Sequence, residues 1–267
     1  MTRVLRPGWA TMAGLSWLAR VGPAPLDAWR CAMGWSEVAA RNHARRLERE
    51  GWLARYPMRR GDGCLFVPTR VGVAVAGVPV RAPGEPAPTW WAHHCGVAWM
   101  AAWLTVRGRE FKGGRELLEV DTWSGEISWQ DHRGFHDSKH RPDLVGFRPD
   151  GRPIAVEVEL APKSIERLRG ILFRHAVWRH AGKSNGVYYV CGDEDGLRRI
   201  RKAANTGRAF RYDDLGLTSL LLDTIKQQAI EMREADPAAV GVRRHGLKRS
   251  RSMQRPGPTG QPSRSIS

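Results

Sequence analysis

The first 78 residues alternate apolar and polar positions in an order that predicts three helices, a β-hairpin and a further short helix. Apolar residues recur at helical spacing from Trp9 to Arg20, and Pro25 begins a second short helix that ends at about Met33. Two short apolar runs, 52–56 and 64–68, flank the pair Asp62-Gly63, which is a strong turn signal between strands. The pattern therefore predicts a hairpin after the helices.

The third helix of this segment has two chemically different faces. Ser36 stands at the N-cap position, and the small apolar residues Ala40, Ala44 and Leu47 fall on one face. The opposite face and the hairpin tip are basic, and we predict that they bind DNA through Ser36, Arg41, Asn42, Arg45, Arg46, Arg49, Arg59 and Arg60.

A proline-rich stretch follows, and the pattern then changes to that of an α/β domain. Residues 107–140 predict irregular structure with short strands at 117–120 and 127–129, then a polar loop. Regular elements are predicted as a helix at 90–106, strands at 143–147, 154–160 and 186–191, helices at 163–180 and 195–204, a strand near Phe210 and a helix at 217–234. We predict a DNA-binding domain at 1–78, a linker at 79–89, an α/β domain at 90–235 and a disordered basic tail at 236–267.

Charge adds a statement about partners. The 267 residues carry a formal net charge of +16, with 12 basic and 5 acidic residues in 1–78 and 7 basic and 1 acidic in 236–267. The segment between them is nearly balanced. A basic head and tail around a neutral body is typical of proteins that bind nucleic acid.

Several other classes are excluded or disfavoured by the sequence. The four cysteines are far apart and form no CxxC pair, which argues against a zinc knuckle or a disulfide framework. The longest apolar stretch, Gly96 to Val106, is shorter than the about 18 residues of a spanning helix, and no secretory signal is visible, so we expect a cytoplasmic protein with no membrane partner. No GxxxxGK[ST] motif occurs, so we expect no nucleotide cofactor.

The N-terminal motifs allow a comparison with known folds. The runs RRLEREGWL, from Arg45 to Leu53, and VPTRVG, from Val67 to Gly72, resemble winged helix-turn-helix domains of bacterial regulators and plasmid proteins. The resemblance implies that the helix beginning after Ser36 enters the major groove of double-stranded DNA and that the hairpin lies along the phosphate backbone. The alternative is that this helix only packs against the rest of the chain and that its arginine-rich face is exposed to solvent without binding DNA.

A cluster of carboxylates is the candidate chemistry of the second half. Asp143 precedes one predicted strand, and Glu157 and Glu159 lie two apart on the next, so that both glutamates project from the same face. With Lys163 nearby, these groups could hold a divalent metal, activate water and offset the charge of a phosphodiester. A network of ion pairs with Arg141, Arg167 or Arg169 is the structural alternative.

The same cluster resembles the PD-(D/E)XK nuclease superfamily, with PD at 142–143 and EVE at 157–159. The resemblance implies a restriction-endonuclease-like α/β domain in which Asp143 and Glu157 hold Mg²⁺ or Mn²⁺. Glu159 stands where the superfamily has lysine, and the resemblance allows Lys163 to take that role. Glu116 is a further candidate acidic ligand.

A longer resemblance includes both halves. HRPD at 140–143 and VEVELAPKSIERL at 156–168, after a winged helix and a tryptophan-rich helix, are similar to the replication-relaxation family of plasmid and mobile-element proteins. This resemblance implies a role in plasmid replication or DNA processing. Two hypotheses stay open: a metal-dependent endonuclease, or a non-catalytic DNA-binding regulator whose nuclease-like domain serves dimerisation or partner binding. A homodimer is expected if the DNA site has two halves.

Overall fold

A computed structural model describes residues 8–59, 63–205 and 215–236. In these residues the protein contains both helices and β-sheets. The first segment contains α1 (Trp9–Val21), β1 (Ala24–Pro25), α2 (Leu26–Met33), α3 (Glu37–Arg49), β2 (Leu53–Pro57), β3 (Cys64–Pro68) and α4 (Arg70–Ala76). The remainder contains α5 (Trp91–Val106), β4 (Phe111–Gly113), α6 (Gly114–Glu119), β5 (Gly125–Asp131), β6 (Gly134–His140), β7 (Leu144–Phe147), β8 (Pro153–Glu159), α7 (Ile165–His180), β9 (Val187–Cys191), α8 (Glu194–Asn205), β10 (Leu217–Leu221) and α9 (Leu222–Ala235).

Helix α3 forms as its sequence predicts. The Ser36 hydroxyl accepts a hydrogen bond from the backbone N–H of Ala39 at 3.2 Å, which satisfies one of the free donors of the first turn. Ala40, Ala44 and Leu47 are buried, whereas Arg41 and Arg45 between them are exposed. The helix ends at Arg49 with Glu50 as its C-cap, and Gly51 follows with a φ of 70° that favours glycine.

The hairpin β2–β3 forms a small antiparallel sheet in the order β1-β3-β2. Helix α4 begins directly after it, where Thr69 caps the helix by accepting from the N–H of Gly72 at 3.1 Å. Gly72 lies so close to β2 that an added Cβ would be 2.0 Å from the carbonyl oxygen of Trp52. The absence of a side chain at Gly72 therefore sets how closely α4 and the hairpin pack.

A five-stranded sheet in the order β10-β9-β8-β7-β4 organises the rest of the chain. Strands β8, β9 and β10 are parallel, and β7 and β4 are antiparallel to their neighbours. Side chains of α7 and α8 form one core with one face of the sheet, and side chains of α5 and α9 form another core with the opposite face. The sheet is thus covered on both faces, as expected for parallel strands.

The core on the α5 face also includes the first segment. Side chains of α1, α2 and α3 belong to the same buried cluster as those of α5 and α9. The indole N–H of Trp17 donates to the Thr105 hydroxyl at 3.0 Å, and Arg20 forms an ion pair with Glu116 at 2.9 Å. Polar and apolar contacts therefore join α1 to α5 and α6 on the far side of the proline-rich stretch.

Three local predictions are wrong. Residues 117–120 were expected to be extended, but Glu119 ends helix α6, whose first turn is closed when the Glu116 carboxylate accepts from the N–H of Gly113. The expected polar loop before His140 is instead strand β6, which pairs with β5 from Gly125 with His140 to Asp131 with Gly134, whereas the strand expected at 127–129 lies within β5. The expected helix from Leu217 begins only at Leu222, after strand β10.

Some predictions fall outside the described residues. These are Arg60 at the hairpin tip, the strand near Phe210 and residues 237–267 of the basic tail. Within the part of the chain that the structure describes, no helix has the length and apolar character needed to cross a membrane.

Candidate functional site

The predicted carboxylates lie at one edge of the five-stranded sheet, where β8 and β9 end and β7 begins. Strand β8 alternates as its sequence predicts. Val156 and Val158 pack in the core on the α5 side, whereas Ala155 packs in the core on the α7 side. Glu157 and Glu159 share the face of Ala155 and are buried, with 6% and 8% exposure. Buried carboxylates require partners, and each of these has them.

Glu157 is held by two histidines from different elements. The Nε2 atoms of His140, at the end of β6, and His175, on α7, lie 2.8 and 2.9 Å from the same oxygen, Oε1. Burial alone would raise the pKa of Glu157, but the neighbouring histidines, His140 above all, hold it at about 2. Glu157 is therefore an ionised carboxylate that accepts hydrogen bonds from two imidazoles.

The two imidazoles differ in their protonation. Burial lowers the pKa of His140, but the Glu157 carboxylate outweighs this and the pKa is raised overall. His175 is 1% exposed, and burial lowers its pKa in spite of the same carboxylate. His140 is thus the more readily protonated member of the pair.

Asp143 has separate partners. Its Oδ2 accepts from the backbone N–H of Val158 at 2.7 Å, and Nε2 of His93, in the first turn of α5, lies 3.1 Å from Oδ1. Burial lowers the pKa of His93, but the hydrogen bond to Asp143 more than compensates, so that the pKa is raised. Although His93 lies on an apolar helix, it thus belongs to the group of charged residues at this end of the sheet, which we call the charged edge.

Glu159 forms an ion pair with Lys163, just before α7. Burial raises the pKa of Glu159, and the Lys163 ammonium opposes this rise. Both residues line a cleft of about 260 Å³ between the ends of β8 and β9 and the first turns of α7 and α8. The Arg199 guanidinium also lines the cleft and donates to the carbonyl oxygen of Lys163. The cleft gives solvent access beside the buried carboxylates, and its lining contains the cations Lys163 and Arg199 together with the carboxylates of Glu159, Asp193 and Asp195.

The structure thus brings Asp143, Glu157, Glu159 and Lys163 to the same end of the sheet. Asp143 and Glu157 each bind histidines, however, and Lys163 pairs with Glu159. Among the residues that the structure describes, the group whose geometry could hold a metal ion consists of His140, Glu157 and His175, whose ligand atoms all lie within 4.8 Å of one another. Glu116 lies elsewhere, bound to Arg20.

Sequence reasoning did not identify His140 or His175 as partners of Glu157. His140 stood in the quoted HRPD motif, which was the one available signal, while His175 is a single histidine on an amphipathic helix.

Most of the predicted DNA-binding residues that the structure describes are exposed. Ser36, Arg41, Asn42, Arg45, Arg49 and Arg59 are exposed, and Arg46 is half-buried. Arg41 forms an ion pair with Glu37 one turn earlier. Arg45 and Arg49 form no ion pair with any residue that the structure describes. Their guanidinium groups are available to an anionic partner.

The donor set bears on which metal the site suits. Mg²⁺ prefers oxygen ligands and retains waters, whereas two imidazoles and one carboxylate suit divalent ions such as Fe²⁺ and Zn²⁺. Both oxygens of Asp143 are already engaged by His93 and Val158. The residues present therefore fit Mg²⁺ poorly.

Comparisons of the chain with protein-family models, with curated proteins and with solved structures found no match.

Proposed function

We propose that this protein binds double-stranded DNA through the exposed face of α3 and the β2–β3 hairpin. One observation carries the proposal: Arg45 and Arg49 are exposed on α3 without an ion-pair partner among the described residues, directly opposite the buried face of Ala40, Ala44 and Leu47. A helix fixed to the core by one face and basic on the other is the arrangement that a DNA-reading helix needs.

The chemistry of these exposed residues fits DNA. Arginine can bind both acceptors of a guanine edge, and asparagine can bind an adenine edge, so that Arg45 and Asn42 could contact bases. Arg59 precedes the hairpin tip, where a cation would neutralise backbone phosphates.

The order of elements also supports the proposal. Helices α1 to α3, followed by β2, β3 and the small sheet β1-β3-β2, are consistent with a winged helix-turn-helix. A role in plasmid or mobile-element replication rests on the resemblance of the sequence alone.

Salt dependence tests the proposal. Affinity for a fluorescently labelled duplex would be measured by anisotropy over a series of salt concentrations, for wild type and for Arg45→Ala/Arg49→Ala. Each lost phosphate contact should reduce the magnitude of the slope of log affinity against log salt by about 0.9, so that the double variant should lose about 0.9 if only Arg49 contacts a phosphate and about 1.8 if both arginines do.

A matched control removes the same charge elsewhere. Arg148 and Arg152 are exposed, lie in the β7–β8 turn and pair with Asp150. Arg148→Ala/Arg152→Ala should retain the wild-type slope if α3 is the binding surface. Equal losses in both double variants would mean that binding depends only on net charge, and the proposal would be wrong.

Phosphodiester cleavage at the charged edge is a second candidate. The observation that favours it is the cluster of Asp143, Glu157 and Glu159 beside an open cleft lined by Lys163. Lys163 could offset the charge of a phosphate, and the carboxylates could accept a proton from water.

Asp143→Asn tests cleavage with little risk to folding, because the amide oxygen can still accept from the N–H of Val158. Supercoiled and linear DNA would be incubated with wild type and variant in Mg²⁺, Mn²⁺ or EDTA, and binding would be followed in parallel. Metal-dependent nicking by wild type, lost in the variant at equal DNA affinity, would support an endonuclease. Tight binding by both proteins without nicking would favour the DNA-binding regulator.

A further inference from the structure

We propose that His140, Glu157 and His175 bind one divalent transition-metal ion of the Zn²⁺ type. The site differs from the Asp143 and Glu157 pair that the sequence predicts, and it requires neither DNA binding nor cleavage.

The geometry is close to that of a bound site. The three ligand atoms come from β6, β8 and α7, and all lie within 4.8 Å of one another. Ligands at about 2.1 Å from a tetrahedral ion are roughly 3.4 Å apart. The two imidazole nitrogens lie 2.8 and 2.9 Å from Glu157 Oε1, so small rotations of three side chains would admit the ion.

The surroundings restrain the ligands in this arrangement. Trp178, one turn after His175 on α7, lies against both imidazoles, with ring centroids 6.2 Å from His140 and 5.2 Å from His175. The two imidazoles meet edge to face at 5.6 Å. Such packing keeps both Nε2 atoms directed at Glu157, which favours ion binding by preorganisation.

A buried group beside the triad lacks a partner. Tyr189 is fully buried, and its hydroxyl has no hydrogen-bond partner among the described residues. It lies on β9 in direct register with Glu157. Three protein ligands leave one position of a tetrahedral ion open. A water molecule or anion in that position would supply the acceptor that the Tyr189 hydroxyl lacks.

The identity of the ion follows from the donors. Two nitrogens and one carboxylate oxygen, without sulfur, select borderline ions such as Zn²⁺ and Co²⁺ over Mg²⁺ and Ca²⁺. Glu159, on the same face of β8 as Glu157, lines the adjacent cleft, which gives a route for an ion from solvent.

Cobalt is a direct probe of this site because its visible spectrum reports ligand type and geometry. The full-length protein, stripped of metal by chelator, would be titrated with Co²⁺ and then with competing Zn²⁺. We expect one Co²⁺ per chain with the visible bands of a four- or five-coordinate ion, no sulfur-to-cobalt charge transfer, and displacement by Zn²⁺ but not by Mg²⁺.

Two substitutions on β6 compare a proposed metal ligand with a histidine outside the triad. His140→Gln removes a ligand, and His136→Gln removes a histidine that binds Asp131 and stacks on Trp129 instead. Circular dichroism would establish that both fold. His140→Gln should lower Co²⁺ affinity by at least about 100-fold, beyond the usual cost of losing an outer partner of a ligand. His136→Gln should bind as wild type does.

Two results would overturn the proposal. Folded wild-type protein that takes up no Co²⁺ would mean that the triad is only a buried ion-pair network. Equal affinity of His140→Gln and His136→Gln would mean that any bound ion sits elsewhere in the chain. Glu157→Gln, which is nearly isosteric, serves as the second ligand variant if His140→Gln does not fold.

Discussion

The hydrogen bond between Trp17 and Thr105 allows a quantitative test of how the first segment packs on α5. Both side chains are buried, and the indole nitrogen lies 3.0 Å from the hydroxyl oxygen. The hydroxyl also donates to the carbonyl oxygen of Ala101 at 2.8 Å. Thr105→Val keeps the shape of the side chain but removes the acceptor, so that the indole N–H is left buried without a partner.

The expected cost follows from the unpaired donor. Leaving a buried N–H unsatisfied costs about 1–3 kcal/mol. With a urea m-value of about 3 kcal/mol/M, the midpoint of unfolding should fall by about 0.3–1 M at unchanged slope. The same substitution in a Trp17→Phe background should cost close to nothing, because no indole N–H remains to be left unpaired.

Urea unfolding of the four proteins in this cycle, followed by circular dichroism, measures the coupling. An equal cost of Thr105→Val in both backgrounds would mean that the interface is open to water and that the hydrogen bond contributes nothing. Two separate transitions, with only one shifted by Thr105→Val, would mean that the first segment unfolds on its own. A single shifted transition is expected because α1 and α5 share one buried cluster.

Three further predictions concern packing, pH and charge. Gly72→Ala should destabilise the protein by about 1–3 kcal/mol in the same urea assay, because the new Cβ would meet the Trp52 carbonyl oxygen at 2.0 Å; Gly84→Ala, with no atom within 4 Å, should change nothing. Burial lowers the pKa of His94 from 6.5 to about 4, so that the unfolded chain binds more protons and stability should fall by about 2.5 kcal/mol between pH 6.5 and pH 4. His94→Gln should flatten that decline in urea midpoints, and an unchanged profile would show that His94 does not cause it. Truncation after Ala235 removes seven basic residues and should weaken DNA binding mainly at low salt, whereas equal affinities at every salt concentration would contradict a role for the tail.

The elements that the sequence predicts correctly are those with strong local signals. Helix α3 has a capping serine and small apolar residues at helical spacing, so its start and its buried face follow from 14 consecutive positions, 36–49. Strand β8 alternates valine with glutamate, and period-2 alternation fixes which side chains share a face. In both cases a few neighbouring residues contain all the necessary information.

The hairpin β5–β6 shows why other elements could not be predicted. Strand β6 reads GFHDSKH, and its residues alternate between half-buried and exposed without a buried apolar face. Only cross-strand pairs, such as Trp129 with His136 at ring centroids 5.1 Å apart, show its register. Such pairs depend on the partner strand and leave little trace in either sequence alone.

At the charged edge, some residues could be predicted from local sequence and others could not. The glutamates of β8 are local and predictable, but their partners are not. His140 and His175 are separated by 35 positions and meet only because α7 packs across the sheet face that carries Glu157. His93 reaches Asp143 from α5, near the opposite face. Sequence patterns can thus propose which carboxylates form a site, whereas tertiary packing decides which groups bind them.

The energetic cost of burying charged groups supports the proposed metal site at His140, Glu157 and His175. Taking ionised groups out of water is costly, and buried ion pairs can often be replaced by apolar residues of similar volume without loss of stability. Glu157 is 6% exposed and His175 1% exposed, within a core that otherwise consists of residues such as Leu168 and Leu172. Apolar side chains would complete that core at lower cost. An apolar core would therefore not need a carboxylate between two imidazoles, and the proposed metal site would account for the presence of these three residues.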